Sequence, residues 1–124
     1  MHREKDKRPE IKTLSKTKLS LPIEDFQNQT LRPILKMKNE VILAFFKTYI
    51  QSKKINWTDK TKEKKEAFVF EILPKDQTFK NSMVHLILGN FSLNEFNQYR
   101  ENPKEYNKRI WQMAQQRISS QVTS

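Results

Sequence analysis

The sequence predicts an all-α fold: a compact bundle of about five helices over residues 20–124, preceded by a flexible basic arm over residues 1–19. Three observations carry that prediction. A single glycine, Gly89, stands in 124 residues, too few for the tight turns of a β-rich fold or for loops that cradle phosphate. Apolar residues recur at three- and four-residue spacing along most of the chain. No segment sustains period-two alternation, and no internal repeat is present.

The elements follow in order. The ordered part begins near Ser20 or Leu21, with Pro22 in the first turn of a short helix carrying Ile23 and Phe26. Thr30 reads as a fresh N-cap, and Pro33 lies within the first turn, where a missing N–H does no harm. From Leu31 to about Ser52, residues including Ile34, Leu35, Val41, Ile42, Phe45, Phe46, Tyr49 and Ile50 form the apolar stripe of a central helix, which Lys38 interrupts. After a linker with Ile55 and Trp57, Thr58 or Asp59 caps a helix that buries Phe68, Val69, Ile72 and Leu73 and stops at Pro74. Lysines crowd the start of that helix, the wrong sign for its dipole, so fraying is expected there.

Asp76 caps the next helix, which bears Phe79, Met83, Leu86 and Ile87, with Gly89 as a stop free to take positive φ. Ser92 and Glu95 form a capping box, and Phe91 with Phe96 has the spacing of a hydrophobic staple. Asn102-Pro103-Lys104-Glu105 supplies cap, first-turn proline and capping glutamate for a last helix. That helix turns Tyr106, Ile110, Met113, Ala114 and Ile118 inward and runs to about Ser119.

Composition bounds the function. With 35 % hydrophobic residues, including two Trp, three Tyr and eight Phe, the chain can fill one core. It has no cysteine, which excludes disulfides, thiolate metal sites and cysteine nucleophiles and suits a reducing compartment. The charged N-terminus does not read as a secretory signal. The longest apolar run, Val41 to Phe46, is far shorter than the roughly 20 residues of a membrane span. The expected location is the cytoplasm. The net charge of +10 and pI near 9.9 draw such a chain toward nucleic acid, anionic lipid or acidic proteins. Residues 1–19 hold seven basic residues against three acids; they read either as a solubilising tail or as a nucleic-acid arm.

Three segments together resemble one family. Pro9-Glu10 after a basic start, the run from Phe26 to Lys36 (FQNQTLRPILK), and Gly89 to Glu95 (GNFSLNE) paired with Asn107-Lys108-Arg109-Ile110 look like an uncharacterised family of small helical Bacteroidetes proteins. Some members of that family carry the label glyoxalase. The resemblance implies a bacterial cytosolic origin and a helical fold, and it brings no catalytic residue with it.

The residues offer little to a metal-dependent enzyme of the glyoxalase type, which needs several convergent His and Glu ligands. The two histidines are His2, in the arm, and His85, nearly opposite Met83 on its helix. Glu24 and Asp25 diverge; Glu101 and Glu105 straddle a helix break; Glu63 and Glu66 sit among lysines. No cofactor is expected. A helix-turn-helix around Gly89 has a poor register, because His85 falls where a small residue should be. A better binding surface is a basic stripe of Arg100, Lys104, Lys108 and Arg109 with Gln112 and Gln116 beside it. Three readings stay open: a non-enzymatic binding module for nucleic acid or another polyanion; a structural or adaptor protein that meets a partner through Trp57, Phe70 and Trp111; and an enzyme, for which no acid, base and electrophile can be assembled.

Overall fold

The computed structural model describes residues 22–123; the basic arm expected over residues 1–19 lies outside them. All elements among the described residues are helical. In chain order they are α1 (Pro22–Phe26), α2 (Arg32–Met37), α3 (Asn39–Ser52), α4 (Lys62–Ala67), α5 (Gln77–Leu88), α6 (Leu93–Tyr99) and α7 (Pro103–Val122). Two widened π-helical segments, Gln27–Leu31 and Phe68–Ile72, and a 3₁₀ turn, Leu73–Lys75, are built into the runs. The all-helical class agrees with the reading of the sequence; the helix count is somewhat higher than five.

The two π segments share one cause. Each ends two residues before a proline, Pro33 or Pro74. A proline inside a helix lacks an N–H, and its ring presses on the carbonyl four residues back. Widening the turn upstream relieves that clash without breaking the helix. The N–H of Arg32 donates to Gln27 O and that of Leu73 to Phe68 O, the i to i−5 bonds of a π turn. Thr30 is therefore not the N-cap expected of it. It lies buried within a continuous helical run and donates from Oγ1 to Glu95 Oε2, 3.3 Å away on α6.

The second π segment corrects another expectation. In a plain α-helix Phe68, Val69, Ile72 and Leu73 would share one face. The widened turn rotates Ile72 to 54 % exposure while Phe68, Val69 and Leu73 remain buried. The helix also starts later than expected. Asp59 is engaged by Asn56 Nδ2 at 2.8 Å, and Thr61 is the cap, its Oγ1 accepting from the Lys64 N–H at 3.2 Å.

The expected central helix is broken at Lys38, whose ψ of 14° ends α2 and starts α3. A tertiary contact holds the break: Asn39 accepts from Arg117 Nη1 at 3.0 Å and exchanges hydrogen bonds with Gln121, both on α7. α3 buries the narrow line Ile42, Phe46 and Ile50, so Val41 and Phe45 face outward, against expectation.

α7 is the axis of the core, packing on α3, α4, α5 and the second π segment. A helix surrounded this way buries a wide stripe, so Trp111 is 6 % exposed beside Phe79, at 6.1 Å between ring centroids. A second aromatic cluster joins Phe26 to Phe91 and Tyr106. Asp76 and the Ser92–Glu95 capping box act as their sequence predicts. Asn102 makes no side-chain cap bond, and Phe96, which the staple spacing turns toward Phe91, is 42 % exposed and lies against Tyr99.

Gly89 has φ of −63°, so it does not use its freedom. Among the described residues the positive φ belongs to Lys54, at 56°. There the Ile55 N–H donates to Ile50 O and the Lys54 N–H to Gln51 O, the paired bonds of a Schellman stop.

Candidate nucleic-acid interface

Between the α1–α2 run and α7 lies an open groove of about 900 Å³. Its charged residues are three arginines: Arg32, at the start of α2, and Arg109 and Arg117, on α7. No carboxylate is among its lining residues, which otherwise are mainly glutamines such as Gln27, Gln112 and Gln116. Both π segments reach it, the first through Gln27 and the second through Phe70. Widened turns recur at functional sites because they re-aim side chains that a regular helix would stack.

Each guanidinium is held by a neutral amide oxygen. Arg32 Nε donates to Asn28 Oδ1 at 3.0 Å, Arg109 Nη1 to Gln27 Oε1, and Arg117 Nη1 to Asn39 Oδ1 at 3.0 Å. These bonds orient the cations without neutralising them, and leave further N–H groups of each fork for a ligand. Partial burial lowers the pKa of Arg117 and the like charge of Arg32 lowers it further. An anion between them would relieve that repulsion.

The predicted stripe is split. Arg109 lines the groove together with Gln112 and Gln116. Lys104 and Lys108 instead line a smaller cleft between α5 and α7 with Lys80, His85 and Trp111. Successive helical residues turn by about 100°, so Lys104 and Lys108 stack one above the other while Arg109 faces elsewhere. Arg100 is exposed at the C-cap of α6, where a cation suits the helix dipole. Sequence reasoning missed Arg32 and Arg117. Arg117 lies two turns along α7 from Arg109 and could have been found by helical phase; nothing local links Arg32 to either.

His85 is exposed, and no three His, Asp or Glu converge among the described residues. Residues 81–99, spanning the α5–α6 corner, contain no Lys or Arg, so a helix-turn-helix there would lack cationic phosphate contacts. Of the three proposed anchor aromatics, Trp111 is buried, Trp57 is half-buried against Phe46 and Phe68, and Phe70 is 40 % exposed. No helix among the described residues is long and apolar enough to cross a membrane. Comparisons with known protein families, curated proteins and solved structures return no match.

Proposed function

We propose that this chain is a non-enzymatic binding module for nucleic acid or another phosphate polyanion, and that the arginine groove is its binding surface. The observation that carries the reading is the set of three guanidiniums, each oriented by an amide oxygen and none faced by a carboxylate in the groove. Forked N–H donors match phosphate oxygens two at a time, and the net charge of +10 steers a polyanion toward them. Lys104, Lys108 and Arg100 add to that field from neighbouring faces. A bacterial cytoplasmic setting, expected from the family resemblance and the cysteine-free composition, belongs to the same reading.

Fluorescence anisotropy with labelled DNA tests it. Affinity falls with salt at a logarithmic slope of about −0.9 per neutralised phosphate on duplex. Arg32→Gln, Arg109→Gln and Arg117→Gln each flatten that slope by about one contact. Slopes unaffected by all three changes would remove the groove from the reading, and no binding at low salt would remove the reading itself. The adaptor reading would then stand ahead of the glyoxalase-like one.

A further inference from the structure

We infer that the groove selects single-stranded over duplex nucleic acid, with Phe70 as the platform on which a base stacks; this rests on the polyanion reading above. Phe70 lines the arginine groove with its ring partly in solvent, while its neighbours Phe68 and Val69 are buried. Phe70 sits in the π segment off the buried line of Phe68 and Val69, on the side that faces the groove. The segment is pinned in place from the groove wall itself, since Gln115 of α7 donates to Val69 O at 3.0 Å. An exposed aromatic ring beside oriented guanidiniums is the combination that binds unpaired strands: cations follow the backbone and the ring takes a base face, whatever the base.

A duplex offers such a site much less. Its base faces are stacked inside the helix, so the arginines could engage phosphates while Phe70 would meet no base. The remaining lining fits the same ligand. Side-chain amides such as those of Gln112 and Gln116 each carry donors and an acceptor, so they can serve the edges of any unpaired base without choosing among them.

The test uses the full chain and two labelled probes, an oligo-dT of about 12 nucleotides and a duplex of the same length. The wild type binds the single strand more tightly at equal salt. Phe70→Ala weakens single-strand binding about 5- to 150-fold, leaves duplex binding and the salt slope unchanged, and Phe70→Tyr restores the single-strand affinity. Thermal unfolding of both variants confirms that they fold. Equal affinity for the two probes, or a Phe70→Ala variant with undiminished single-strand binding, overturns the inference. If the arginine variants still weaken both probes in that case, the polyanion reading survives alone; if the wild type binds neither probe, both fall.

Discussion

The side-chain amide of Gln115, buried in the middle of α7, donates to the main-chain carbonyl of Val69 at 3.0 Å, across 46 residues of sequence. It satisfies an oxygen in the turn widened ahead of Pro74, and so ties the element that presents Phe70 to the helix that presents Arg109 and Arg117.

Removing that donor should be costly. Gln115→Leu leaves a buried carbonyl without its side-chain partner and is expected to lower stability by about 1–3 kcal/mol. Urea denaturation measures it. Amide exchange should also quicken across residues 68–72 more than in α5, and uniform acceleration would argue against a local role.

The stop of α3 and the turn after α5 make opposite predictions for glycine. Lys54 holds φ of 56°, which costs a non-glycine residue about 1 kcal/mol. Lys54→Gly should therefore raise the unfolding midpoint by several degrees. At Gly89, φ is ordinary and an added Cβ would meet His85 O at 3.5 Å and Leu86 O at 3.7 Å, normal contact distances. Gly89→Ala should stabilise by about 0.4–1 kcal/mol by restricting the unfolded chain. A loss of stability in either variant would contradict the backbone geometry described here.

Tyr49 and Asp76 set a pH window. The Tyr49 hydroxyl donates to Asp76 Oδ2 at 2.9 Å, and the Phe79 N–H donates to Asp76 Oδ1 at 3.1 Å. The Phe79 N–H, then Tyr49, hold the Asp76 carboxyl below its ordinary 3.8, so its contribution is complete above that pH and is lost as pH falls through the folded value. Burial, then Asp76, pushes the Tyr49 phenol up to about 12, so its contribution is complete below pH 10 and is lost as pH rises toward 12. The stability gap between wild type and Tyr49→Phe should be widest from about pH 4 to 10 and shrink on both sides. Thermal melts across pH check this, and a gap constant at all pH values would refute it.

The split of the basic stripe predicts unequal roles for its members. Arg109→Ala should weaken oligo-dT binding more than Lys104→Ala and Lys108→Ala together, with the difference persisting as salt rises. Cations outside the groove act through a field that salt screens within about 10 Å at 0.1 M. Equal effects at every salt concentration would return the interface to the stripe.

Much of the helical architecture was legible locally. Asp76, the Ser92–Glu95 box and Pro103 start helices for reasons confined to a few residues: a side-chain acceptor for orphan N–H groups, or a ring that needs none. Of the candidate site, Arg109, Gln112 and Gln116 were legible because they lie on one helix at spacings that periodicity can read. Arg32 was not, since it reaches the groove only through the packing of the α1–α2 run beside α7.

The sequence by itself determined that the chain would be helical and where α5, α6 and α7 would start, because hydrophobic period and capping act over one or two turns. Pro33 and Pro74 also announced an interruption. Whether the helix would break or widen was decided by the tertiary structure, because the groups freed or displaced there needed partners far along the chain. Thr30 finds Glu95 and Val69 finds Gln115, and with those partners in reach a widened turn leaves no buried polar side chain unpaired among the described residues. The exposure of Ile72 follows from that choice, while the burial of Trp111 and the meeting of three arginines in one groove follow from the packing of distant elements around α7.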